Sequence, residues 1–263
     1  MNNGPIGMGE QDSSERERFE NELKRILHAS DEAGLMLRVI GSLAFQMHCP
    51  EYGYVQQAMG RVYTDIDFAA YSKQSKAIQA LMAGLGYNEN KEVFIVSEGD
   101  RAIFEKESRD LHVDVFYDKL DFSHVISWNG RLEVDSPTIP LAEMLLEKMQ
   151  IVKINEKDII DTIMLLLEHP LGENDQEVIN IARVANLCGS DWGLWRTTSM
   201  NLEKVKRLAV SYPQLSDEQK ARVTTQVDVA LQRMEQEPKS MAWRMRSRVG
   251  DRLKWYKDVD EVQ

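Results

Sequence analysis

Three acidic residues carry the first chemical signal. Asp65 and Asp67 stand two apart in Thr64-Asp65-Ile66-Asp67-Phe68, and Asp114 stands in Leu111-His112-Val113-Asp114-Val115-Phe116. Both stretches read as β-strands, in which side chains two apart leave the same face. Two carboxylates held that close repel each other unless a divalent cation sits between them. A hard cation such as Mg²⁺ or Mn²⁺ takes oxygen ligands and completes its shell with phosphate oxygens and water. Asp114 shares a strand face with His112 and Phe116 and can supply a third carboxylate that orients or deprotonates an attacking hydroxyl. Upstream, Gly41-Ser42 follows a short apolar run. A glycine there permits close backbone approach, the amides that open the next helix can hold a phosphate, and Ser42 adds a hydroxyl donor. The set points to metal-assisted chemistry on a polyphosphate.

Such residues need a sheet to hold them. Residues 35–40 read as a buried strand, 42–48 as a short helix entered through a tight turn, and 50–60, with two glycines and a proline, as a loop. Residues 64–71 form a second strand, and 72–85 a helix with Ile78, Leu81 and Met82 on its core side. Runs 93–96, 102–105, 111–117 and 131–134 read as further strands. Ahead of them, Phe19, Leu23, Ile26 and Leu27 recur at helical spacing from about Ser13. Beyond Pro140 the strand signals vanish, and helical periodicity runs through 141–152, 157–167, 176–186, 195–210, 217–235 and 241–257. The expected fold is α/β (α+β). Residues 1–12 form a loose polar tail, 13–139 a mixed sheet with flanking helices, and 140–263 an all-helical domain.

Composition narrows the function classes. The chain has 263 residues, 43% hydrophobic and 29% charged, with a net charge of −11. That supports a sizeable core and excludes a disordered chain, a collagen-like fibre and a disulfide scaffold. Cys49 and Cys188 are too few and too far apart for a disulfide framework or a four-ligand zinc site, and fit a reducing cytoplasm. No apolar run is long enough to span a bilayer, and residues 1–10 lack the apolar core of a signal peptide. The acidic balance argues against indiscriminate nucleic-acid or membrane binding.

Taken in order, Val39-Ile40-Gly41-Ser42, Asp65-Ile66-Asp67-Phe68 and Val113-Asp114-Val115 resemble the signature of the DNA polymerase β-type nucleotidyltransferase superfamily. Arg61 four residues before Asp65, and Leu145-Leu146-Glu147-Lys148 followed by Lys157-Asp158-Ile159-Ile160-Asp161, look like its AbiEii-like, toxin-type branch. The resemblance runs from about residue 36 to 168. It implies a nucleotidyltransferase-fold sheet and an enzyme that moves a nucleoside monophosphate from a nucleoside triphosphate to an acceptor hydroxyl, with pyrophosphate leaving. By the same resemblance, Asp65, Asp67 and Asp114 would bind Mg²⁺ or Mn²⁺. Lys148 and Asp158 would join the catalytic set, and Gly41, Ser42, Arg61 and Lys148 would hold the nucleotide. A toxin-like role with a cognate antitoxin is a further implication of the branch. Read from the residues alone, Asn155 suits a helix cap, with Glu156 and Asp158 favoured in the first turn by the helix dipole, and Lys148 fits a solvated helix position beside Glu147 equally well.

The acceptor is addressed by residues 239–257. Lys239, Arg244, Arg246, Arg248, Arg252, Lys254 and Lys257 face a single acid, Asp251, with Trp243, Trp255 and Tyr256 among them. Met241, Met245, Val249 and Leu253 step by four and are expected as the buried stripe of a terminal helix. A basic helix with interleaved aromatics suits phosphate contact and base stacking on RNA or tRNA. It equally suits docking against acidic neighbours in its own domain. The net acidity favours nucleotidylation of a polycationic small molecule such as an aminoglycoside. A non-catalytic nucleotide-binding or assembly protein is the third reading, and three converging carboxylates argue against it. Trp192 and Trp195 are expected in the core or an interface.

Overall fold

The period-two alternation in 64–71 and 111–117 builds the centre of a mixed five-stranded sheet. The structure, a computed structural model, describes residues 13–59, 63–107 and 111–259. The expected tail, 1–12, lies outside the described residues. Strands β1 (Arg38–Ile40), β2 (Ile66–Ala70), β3 (Asn88–Glu89), β4 (Arg101–Glu105) and β5 (His112–Tyr117) lie in the order β1-β2-β5-β4-β3. The β2–β5 pair is parallel and its neighbours are antiparallel. Ile66 and Phe68 of β2, Val113 and Val115 of β5, and Ala102 and Phe104 of β4 are all buried. They share one hydrophobic core with Phe19, Leu23 and Ile26 of helix α1 (Ser13–Glu32). The helix expected over 42–48 is present as α2 (Gly41–His48), which follows β1 with no intervening residue, so Gly41 itself makes the turn.

Local expectations fail where a side chain outside the run decides the backbone. The expected loop 50–60 contains helix α3 (Tyr54–Ala58), which turns Gln56 into the interior to donate to Asp161 at 2.7 Å. Helix α4 (Ser75–Gly84) falls within the expected 72–85, after a 3-10 turn at Ser72–Gln74, but 93–96 closes helix α5 (Lys91–Val96) instead of forming a strand. The Asn90 side chain accepts from the Val93 amide at 3.3 Å and so caps that helix. Residues 131–134 form turns, not a strand, with the Arg131 fork drawn onto buried Glu143 at 2.7 and 2.8 Å. A hairpin, β6 (Lys119–Asp121) and β7 (Val125–Ser127), stands where no strand was expected.

The chain then becomes mostly helical, through α6 (Leu141–Met149), α7 (Glu156–Glu168), α8 (Ile181–Ser190), α9 (Trp192–Ser211), α10 (Asp217–Gln236) and α11 (Met241–Val249). It is not wholly helical. Between α7 and α8, β8 (Leu171–Gly172) and β9 (Ile179–Asn180) form a short parallel ladder. Helix α8 starts later than the periodicity suggested, because the Asn180 side chain caps the Arg183 amide at 3.1 Å. Cys49 and Cys188 are free and buried. Among the described residues no helix is long and apolar enough to cross a membrane.

The expected helix 241–257 stops at Val249, before Gly250 at φ 58°. The expected buried stripe is corrected with it: Met241, Met245 and Leu253 are 73%, 62% and 63% exposed. Helix α11 docks instead through Trp243, edge-on to Trp195 at 5.2 Å, and through Arg246, stacked over Trp192 at 4.6 Å. Trp192 is buried, as expected. Residues 253–259 continue as a strap that runs past α9 to the β6–β7 hairpin, where the Lys257 amide donates to the Ser123 carbonyl at 3.1 Å. Trp255 seats it, donating to Thr197 Oγ1 at 3.0 Å and meeting the Trp192 ring at 5.9 Å. Gly193 lets it cross, since a Cβ there would lie 2.7 Å from the Trp255 carbonyl oxygen. Further on, Lys257 pairs with Asp121 at 2.6 Å.

Candidate active site

Parallel pairing puts Asp67 directly opposite Asp114, and antiparallel pairing puts Ile40 opposite Asp67. Adjacent strands lie about 4.8 Å apart, so the two carboxylates are neighbours on the face away from the buried valines. Asp65 stands one residue ahead of β2, on the Asp67 side. Gly41 opens α2 at φ 69°, and a Cβ there would sit 2.4 Å from Asp67 Oδ2. Only a glycine satisfies both the left-handed backbone and that approach.

The opposite wall comes from α6 and α7. Every residue of α6 is buried, so its polar side chains act inside the protein. Lys148 Nζ lies among three carboxylates, 3.4 Å from Glu147, 3.1 Å from Asp158 and 3.3 Å from Asp161, and 5.2 Å above the Phe45 ring. The Asn155 side chain accepts from the Asp158 amide at 2.9 Å, the cap expected from the sequence. Glu147 accepts from the Gly41 amide at 3.4 Å, so the opening turn of α2 already faces a carboxylate. Between the walls lies a cleft of about 630 Å³, lined by Gly41, Asp65, Asp67, Asp114, Lys148 and Asp158 among others.

The electrostatics are those of crowded acid groups. Burial, then the charges of Asp65, Asp114 and Glu147, push the Asp67 carboxyl well above the usual range. Burial pushes Glu147 up to about 7, against the pull of Lys148. Burial also raises Asp114, although the Arg101 fork grips it through Nε at 2.9 Å and Nη2 at 2.5 Å. Among the described residues no three carboxylate, imidazole or thiol groups converge as a ready metal cluster, and Asp114 is turned onto Arg101. The donor set nevertheless fits a hard divalent cation. Asp67 is an oxygen donor held against neighbouring carboxylates beside a cradle that a Cβ would fill, where added positive charge relieves the repulsion.

Six of the expected residues, Gly41, Asp65, Asp67, Asp114, Lys148 and Asp158, therefore line one cleft. Ser42 does not. It is buried, because the first turn of α2 carries it inward with Leu43, Ala44 and Phe45, and its carbonyl accepts from Gln56 at 3.5 Å. Arg61 lies outside the described residues. Sequence reasoning met Glu147 and Asp161 only as motif neighbours with no role of their own, and missed Arg101. Glu143 and Glu147, four apart in a helix whose other residues are apolar save Lys148, were a legible sign of buried acids. Nothing in the Arg101 run signals its partner, which depends on β4 pairing with β5. Comparison with protein-family models, curated proteins and solved structures finds no match for this chain.

Proposed function

We propose that the protein is a metal-dependent nucleotidyltransferase of the DNA polymerase β type, moving a nucleoside monophosphate from a nucleoside triphosphate to an acceptor hydroxyl. The observation that carries this reading is the juxtaposition of Asp67 and Asp114 in strand register with Gly41 packed on Asp67, across one cleft from Lys148 and Asp158. Asp65 and Asp67 would hold the divalent cation, with Asp114 completing the site. When bound, the cation supplies Lewis-acid activation of the acceptor oxygen and neutralises charge on the departing oxygens. The chain does the rest. The Gly41 amide and Lys148, which here face Glu147, Asp158 and Asp161, would be the donors turned to the pyrophosphate moiety at the β1 end of the cleft. Asp114, whose carboxyl is raised by burial, takes the proton as the acceptor oxygen bonds to the α-phosphorus and the bond to pyrophosphate breaks. Arg101 holds Asp114 in place until then.

RNA is the acceptor we favour. Arg244, Arg248 and Arg252 are exposed on α11 and the turn after it, and none makes an ion pair or side-chain hydrogen bond among the described residues. In a chain of net charge −11, three uncompensated arginines on one segment suit a phosphate backbone. The test incubates the protein with each α-phosphate-labelled nucleoside triphosphate, Mg²⁺ or Mn²⁺, and total cellular RNA. Label in RNA that is lost in the Asp65→Ala/Asp67→Ala variant supports the reading. Pyrophosphate release without RNA labelling moves the acceptor to a small molecule, and absence of pyrophosphate release with every acceptor overturns transfer altogether.

A further inference from the structure

Past Arg101 and Phe116 the cleft opens into a second lobe of about 410 Å³. Its floor is Phe116 and Phe122, edge-on at 5.5 Å, and Val96 and Val259 line it from α5 and from the strap. Its cations are already matched: Lys119 with Asp100 at 2.7 Å, Lys257 with Asp121 at 2.6 Å, and Arg101 with Asp114; Asp258 pairs outward with Lys254, and Glu98 adds an acid with no ion pair among the described residues. The lobe thus offers apolar contact at Val96, Phe116, Phe122 and Val259 inside an acid-leaning rim with no spare positive charge, and a phosphate gains nothing there.

Sheet order gives the lobe its direction. Gly41 follows β1, Asp67 is on β2, Asp114 on β5 and Arg101 on β4, so the cleft runs from a phosphate end at β1 to Asp114 and then to the lobe. We infer that the second lobe is the acceptor subsite and takes a hydroxyl-bearing ring free of anionic groups, whose hydroxyl is presented to Asp114 past the Arg101 guanidinium. This rests on the nucleotidyl-transfer reading, which sets the donor end. The ring is either the terminal nucleoside of an RNA strand or a free sugar ring, and the two sources share the same chemistry: a ring stacked on Phe122 and a hydroxyl with no phosphate beside it.

Val96 is 78% exposed, so Val96→Trp fills the lobe from its rim without disturbing the core. The experiment measures equilibrium binding in Mg²⁺ with α,β-methylene nucleoside triphosphates, which occupy the donor end without reacting. Three probes are used: a short RNA ending in a 3′-hydroxyl, the same RNA ending in a 3′-phosphate, and kanamycin. Binding of the 3′-hydroxyl RNA in preference to its 3′-phosphate form identifies the nucleoside source, and binding of kanamycin the sugar source. In either case Val96→Trp should weaken the bound probe about tenfold or more while leaving analogue affinity unchanged, and Val96→Ala should bind like wild type. Wild-type affinity in Val96→Trp, equal preference for the two RNA ends, or no binding of any probe to the wild-type protein overturns the assignment. Failure of the transfer reading is separate. It shows as no pyrophosphate release with any acceptor, even where a probe binds in a Val96-dependent manner.

Discussion

Asp67 concentrates the electrostatic tension of the site. Its carboxyl, and those of Asp114 and Glu147, are raised by burial, so the folded chain holds protons that the unfolded chain releases. Stability from such groups is full below the ordinary carboxylate range, declines as pH rises, and is lost once pH passes the folded value, about 7 for Glu147. Metal-free protein should therefore lose thermal stability between about pH 5 and about pH 7, at up to about 1.4 kcal/mol per pH unit per carboxyl. Mg²⁺ or Mn²⁺ should restore it above that range. Asp67→Asn should abolish transfer, leave the metal-free melting temperature above neutral pH equal or higher, and flatten the pH slope. A large loss of stability in Asp67→Asn would mean the carboxylate is structural. Gly41→Ala is the converse case. It forces a side chain into a left-handed backbone and against Asp67 Oδ2, and should cost about 1–3 kcal/mol in thermal melts along with transfer. Wild-type stability and activity in Gly41→Ala would remove the close approach from the argument.

At the scale of elements, two devices set the site: a parallel strand pair below and a fully buried helix above. The strands were legible because period two is a local signal. Val113 and Val115 fall inward and Asp114 outward whatever the rest of the chain does. Arg101 was not legible, because its meeting with Asp114 follows from which strand β4 pairs with, and that is decided by the fold as a whole. Ser42 was read as a ligand from its type, but the helix turn after Gly41 decides its direction. The strap was hidden for a different reason. Residues 241–257 carry a clean helical period, yet Gly250 ends the helix and Trp255 has a better partner in Thr197 and Trp192 than a further helical turn provides. Trp255→Ala should free that segment at a cost of about 1–3 kcal/mol and make the chain after Val249 sensitive to protease, while α1 to α10 stay protected. Unchanged proteolysis would mean the strap is held elsewhere.

Across the whole molecule, the cleft is assembled from distant parts of the chain: carboxylates from residues 65–114, a cation and acids from 147–158, and a rim from 256–259. Charge is divided in the same way, with acid groups packed at the sheet and uncompensated arginines on α11. The sequence showed that division as a basic segment in an acidic chain, but it could not show that the same segment continues as the strap lining the cleft. The seat of the strap also has an optical consequence. Four of the five tryptophans, Trp192, Trp195, Trp243 and Trp255, form a continuous chain of ring contacts where α9, α11 and the strap meet. Coupled indoles in fixed orientation give a strong near-ultraviolet circular dichroism band, so docking of the strap carries its own spectroscopic signal. A ligand that lifts the strap should collapse that band while the far-ultraviolet spectrum stays unchanged, and one that binds beneath a seated strap should leave both intact.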